Sequence, residues 1–175
     1  MDDDAAPWRL IVVNVALALT VDYWSDERVR PVIDTHKSTG ITVLGLVILR
    51  ILWRASHKPP PLPPTCARWE RIAARLAHGA LYALMLLLPI SGRLHHSAWK
   101  DAATHPMTLF GLVPCPRVGF IAAIEPVSKE SLHTLLGAVH TAFGYVLYVL
   151  LTLHIMGALE HQWLDREAEL QRMSL

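Results

Sequence analysis

Four histidines, His133, His140, His154 and His161, recur in the last part of the sequence at spacings of 7, 14 and 7 residues. An α-helix turns about 100° per residue, so seven residues return to within about 20° of the same face. If this stretch is helical, all four lie on one stripe. Imidazole carries a nitrogen that can bind a metal and a second nitrogen whose hydrogen bond fixes the ring. Ionisable side chains in apolar helices are costly and point to function by default. His36 and His78 fall in two other apolar segments among the ten histidines of the chain. His140 and His154 are separated by about 21 Å of helix axis. His36 is expected at the depth of His140, near the outer end, and His78 at the depth of His154, near the inner end. Two imidazoles facing each other across a bundle core are a standard way to hold haem iron. Gly40 and Gly144 follow His36 and His140 by four residues, on the same faces. They leave room for a flat macrocycle or, equally, for close helix–helix contact.

For each histidine taken alone, the plainer reading is a buried ring hydrogen-bonded to a neighbouring helix. The facing set is what points to ligation by His36, His140 and His154, with His78 as the weakest member. His133 and His161, at the ends of the stripe, suit hydrogen-bonding or substrate roles. His57, His95, His96 and His105 are expected in solvated loops, where a zinc site from His95, His96 and His105 is only faintly signalled. Cys66 and Cys115 match no metal spacing and no disulfide framework.

The elements that must position these groups are apolar. Hydrophobic residues make up 53% of the 175 and charged residues 18%, whereas a soluble chain carries about 25% charged residues. Apolar stretches predict transmembrane helices at about 5–24, 36–55, 70–92 and 131–160. About 20 residues of helix cross a bilayer core of about 30 Å, and backbone satisfaction in lipid requires helices. The expected fold is all-α, a four-helix transmembrane bundle forming a single domain over residues 1–175. A formal net charge of +1 gives no reason to expect nucleic acid. Residues 1–4 carry no basic character of a cleaved signal, so the first apolar stretch reads as a retained helix.

Between the second and third segments, a proline run from Pro59 to Pro64 predicts an extended elbow. Arg50, Arg54, Lys58, Arg68, Arg71 and Arg75 cluster there. The positive-inside rule puts this end in the cytoplasm, and four spans then put both termini there. Trp8, Trp24, Trp53, Trp69 and Trp163 sit near predicted span ends, as an aromatic belt does.

These residues resemble the bacterial cytochrome b561 family of di-haem four-helix membrane proteins. The second segment, Asp34-Thr35-His36-Lys37-Ser38-Thr39-Gly40 through Arg50 and Arg54, is similar to that family's His-x3-Gly helix with spaced arginines. Ala77-His78-Gly79-Ala80-Leu81-Tyr82 through Pro89-Ile90-Ser91-Gly92, the Phe110-Gly111-Leu112-Val113-Pro114 loop, and Leu132-His133 through His140, His154 and His161 are similar too. The resemblance implies an outer haem b held at His36 and His140, and an inner haem b held at His154 and a histidine that opens the first helix. Here that place has Pro7-Trp8, so His78 substitutes, or the inner haem is five-coordinate, or it is lost. The resemblance further implies electron transfer across a bacterial inner membrane to or from a quinone, with superoxide:ubiquinone oxidoreductase activity as one form and a redox protein as partner. Ubiquinone would bind at the inner end, near His161, Trp163 and Arg75. The competing reading is a single-haem or haem-free subunit that anchors a redox partner.

Overall fold

The computed structural model describes residues 5–57 and 68–163, with the side chains of 5–8, 70, 158 and 161–163 left aside. The proline run and the C-terminal Arg172-Met173 lie outside the described residues. Among the described residues, five α-helices are present: α1 (Ala5–Thr20), α2 (Asp26–Ser56), α3 (Arg68–Ala98), the single turn α4 (Gly119–Ala122) and α5 (Pro126–Trp163). Within them, Asp26–Ser56, Arg71–Ala98 and Pro126–Gly157 are long and apolar enough to cross a membrane. α1 has 16 residues, which at 1.5 Å each is about 24 Å, shorter than the about 30 Å of a bilayer core.

All three long helices extend past their expected bounds. α2 starts at Asp26 rather than near residue 36, with Asp26 and Glu27 in its first turn, where acidic residues suit the helix dipole. α5 starts at Pro126 rather than near 131. Proline fits the first helical position, and the Glu125 carboxylate accepts hydrogen bonds from the amides of Val127 and Ser128 at 3.0 and 3.1 Å. α3 runs on from Gly92 to Ala98. Hydropathy marks where lipid begins, and these helices continue beyond it.

α1 packs on α2, α2 on α3, and α3 on α5. α3 runs antiparallel to both neighbours. Its His95 meets His133, its Leu88 and Ser91 meet His140, and its His78 meets His154 along α5, while Tyr82 at its middle meets Arg50 near the end of α2. Val43, Val47, Leu84 and Leu147 are buried between the helices, while Leu49, Leu52, Leu76, Val149 and Met156 are exposed. An apolar exterior of this kind suits a lipid solvent.

One short sheet joins the helices. The segment between α3 and α4 folds into an antiparallel hairpin, β1 (Met107–Leu109) and β2 (Val113–Cys115), with Met107 opposite Cys115. Its tip turns through Phe110 and Gly111, both at positive φ (50° and 75°), a region in which glycine is at ease. The hairpin is bound at two points. The Ser38 hydroxyl of α2 accepts the Phe110 amide at 3.0 Å and lies 3.3 Å from the Thr108 carbonyl. The Arg93 guanidinium of α3 donates to the Met107 sulfur, the Cys115 carbonyl and the Pro116 carbonyl. Ala98, Ala102, Met107 and Ile121 form a second small core beneath it.

Candidate functional site

The His36 and His140 rings face each other from α2 and α5, with centroids 6.3 Å apart and planes at 90°. Each ring has its Nδ1 occupied. That of His36 donates to the Asn14 carbonyl of α1 at 3.1 Å. That of His140 lies 3.1 Å from the Leu88 carbonyl and 3.0 Å from the Ser91 hydroxyl, both on α3. A donor at Nδ1 leaves the lone pair at Nε2, the arrangement of a metal-binding imidazole with its outer hydrogen bond in place. With metal–imidazole bonds of about 2 Å, two rings sharing one ion have centroids roughly 6 Å apart. The donor set therefore fits an iron held by two neutral imidazoles.

A second pair lies towards the other end of α5. His78 of α3 and His154 of α5 have ring centroids 5.1 Å apart, at 72°. Neither ring has a hydrogen-bond partner among the described residues. His78 borders an open pocket of about 460 Å³, lined also by Ile51, Arg54, Arg75, Gly79 and Tyr82. The Arg54 guanidinium lies 5.7 Å from the centre of the Tyr82 ring, and Arg50 Nε donates to the Tyr82 hydroxyl at 3.2 Å.

Two imidazole pairs thus lie along one apolar helix, the first at the spacing of a shared iron and the second, at 5.1 Å, closer than that. The family model for prokaryotic cytochrome b561 matches residues 8–174. The chain belongs to the prokaryotic cytochrome b561 family. It is a membrane protein of a haem-binding, electron-transferring family. "Cytochrome b561 homolog 2" of Escherichia coli (strain K12) is 31% identical over 140 residues, covering 80% of this chain and 69% of the relative. "Cytochrome b561 homolog 1" of the same organism is 26% identical, covering 80% and 73%. "Probable superoxide oxidase CybB" of Yersinia pestis is 28% identical over 142 residues, covering 79% and 72%.

In this b561 protein the glycines have separate tasks. A Cβ on Gly40 would stand 3.5 Å from Asn14 Nδ2 of α1, and one on Gly144 would stand 3.8 Å from the Tyr148 hydroxyl. Both are ordinary van der Waals distances, and beside Gly40 the Thr39 hydroxyl donates to Asn14 Oδ1 at 2.6 Å. Gly92 makes room for the His140 ring, since a Cβ there would lie 3.1 Å from His140 Cε1.

Arg75 borders the pocket beside His78. His161 and Trp163 fall in the last turn of α5, and their side chains lie outside the described residues. His57 and His105 are exposed, His57 stacked on Trp53 at 3.8 Å. His95 and His96 are not in a loop, because α3 continues through them. His95 stacks on His133 at 4.0 Å, and each ring's Nδ1 bonds to the other residue's carbonyl, at 3.0 and 3.1 Å. His96 is 5% exposed. With these rings parted from His105, no group of three or more metal-binding side chains forms among the described residues, and the zinc suggestion is withdrawn. Sequence reasoning missed Asn14, Leu88, Ser91 and Gly92 as the holders of the first pair. One signal was present: His96 follows His78 by 18 residues, five full helical turns, so the two share a face of α3.

Proposed function

We propose that this membrane cytochrome passes electrons across the bilayer through two haem b groups, one held by His36 and His140 and the other by His78 and His154. The observation that carries the reading is the pair of cross-bundle imidazole contacts, 6.3 and 5.1 Å between ring centroids, strung along α5. Haem iron supplies one-electron chemistry when bound, and its potential is tuned by axial ligands, hydrogen bonding and burial. The chain's part is to hold the rings. Asn14, Leu88 and Ser91 fix the tautomers of the first pair, and Gly92 lets the His140 ring lie against α3. His78 takes the place of a first-helix ligand.

The electron donor or acceptor in the membrane is a quinone, placed near the pocket of Arg54, Arg75 and Tyr82 and near His161 and Trp163. A guanidinium and a phenol there suit a quinone carbonyl, and His161 exchanges the accompanying proton. The cluster of Arg50, Arg54, Arg68, Arg71 and Arg75 supports this end, with both termini, facing the cytoplasm from a bacterial inner membrane. The relative named as a probable superoxide oxidase supports superoxide as the donor at the hairpin end, with ubiquinone as acceptor and residues 1–175 acting as a single domain.

A single-haem or haem-free anchor subunit is the second reading. It is favoured by the asymmetry of the two pairs: both rings of the first are tethered, whereas His78 is exposed and untethered. The pyridine haemochrome of purified protein separates the two. Two haems per chain support the electron path, and one or none supports the anchor. Superoxide-driven quinone reduction should fall to background in a His36→Ala variant; an equal rate would exclude the hairpin-end route.

A further inference from the structure

Among the described residues, His96 Nε2 is a buried side-chain polar atom with no hydrogen-bond partner. Burying an imidazole nitrogen without a partner costs about 1–3 kcal/mol, so the orphan calls for an occupant. His96 lies four residues after Gly92, on the same side of α3 and one turn nearer the hairpin. Gly92 is the point at which α3 touches the His140 ring. His96 therefore stands one helical turn beyond the point where α3 meets the first imidazole pair, towards the hairpin. The surrounding charge is mostly positive. Lys37 and Arg93 are its main charged neighbours, with Asp34 as the opposing one. Lys37 adjoins His36 in sequence and is half-buried, and its ammonium lies 3.5 Å from Asp34.

Haem b carries two carboxylate side chains on one edge. We infer that His96 Nε2 donates a hydrogen bond to a haem propionate of the His36–His140 site, with Lys37 supplying the positive field. This rests on the assignment of that pair as haem ligands. His96 touches no iron in this scheme and acts on the haem through its carboxylate. An anionic propionate stabilises ferric haem; a donor that draws charge from it favours the ferrous form. Asp34, already engaged by Lys37, keeps the ammonium from neutralising the carboxylate outright.

The test uses the full-length cytochrome with His96→Ala and His96→Phe, which both remove the donor (the second also fills the volume), and with His96→Gln, which keeps one. Potentiometric titration should show one haem shifted to lower potential in the Ala and Phe variants and largely restored in Gln. Redox-difference infrared spectra with haem labelled at the propionate carboxyls should show the carboxylate band moving in the same two variants. In protein reconstituted with haem dimethyl ester, whose carbonyls are uncharged and weaker acceptors, loss of His96 should shift the potential less. Unmoved potential and band at normal haem content would overturn the inference and leave the ligand assignment standing, as would an equal shift with the ester, which signals a buried water instead. A His36→Ala protein that retained every haem would sink the ligand assignment, and this inference with it.

Discussion

His36 and His140 are held on their far sides by two other helices. α1 offers the Asn14 carbonyl, and α3 offers the Leu88 carbonyl and the Ser91 hydroxyl. Replacing either histidine by alanine should lower the haem content from two to one per chain, read by pyridine haemochrome. Ser91→Ala is expected to be milder, keeping the haem and shifting its potential, since the Leu88 carbonyl still holds the ring. Gly137 is a sharper steric case. A Cβ there would lie 2.9 Å from His95 Cε1, so Gly137→Ala should destabilise the solubilised protein by about 1–3 kcal/mol through overpacking. Thermal unfolding of the two proteins side by side measures it. At this scale the ligand candidates were legible, because a seven-residue period on an apolar helix is visible without coordinates. Their holders were not. A backbone carbonyl such as those of Asn14 and Leu88 leaves no trace in residue type, and Ser91 looks like any small polar residue near a span end.

Helices α2, α3 and α5 all outrun the apolar stretches that reveal them. The membrane sets the pattern of hydropathy, whereas capping sets the helix ends, and the two need not coincide. His95 and His96 were assigned to a loop for this reason alone. At the start of α5, Glu125 shows what capping contributes. Hydrogen bonds from the amides of Val127 and Ser128, and from the Ser128 hydroxyl, hold its carboxyl below the ordinary glutamate range. A depressed carboxyl stabilises the fold above its unfolded value, near pH 4.3, and the effect is lost as pH falls through the lower folded value. Glu125→Gln should therefore lower the unfolding temperature at pH 7, and the gap should close in acid. A gap constant down to pH 3 would contradict this. Arg93 is the corresponding device for the hairpin. Removing its guanidinium leaves the Cys115 and Pro116 carbonyls without their donor, at a cost of roughly 2–3 kcal/mol for hydrogen bonds to a charged group. Arg93→Ala should make residues 104–118 sensitive to protease in intact, haem-loaded protein.

Across the whole molecule, the antiparallel course of α2, α3 and α5 brings each imidazole pair to its own level. His36 and His140 sit towards the hairpin, and His78 and His154 sit towards the arginine-rich end. Helical class and membrane character were readable from composition. The hairpin was not, because Met107–Leu109 and Val113–Cys115 are too short for a strand signal. Cysteine-accessibility labelling in membrane vesicles should find an introduced Leu112→Cys reactive from the face opposite to Arg68→Cys. Labelling of both from one side would refute the proposed orientation.

The reciprocal contact of His95 with His133 has a mechanical consequence. Two crossed bonds at one level oppose rotation of α5 about its own axis relative to α3. Because His140 and His154 lie one and three heptads further along the same rod, locking its angular phase near one mouth sets the bearing of both. Cutting either bond should blur the alignment of a ring some 30 Å away.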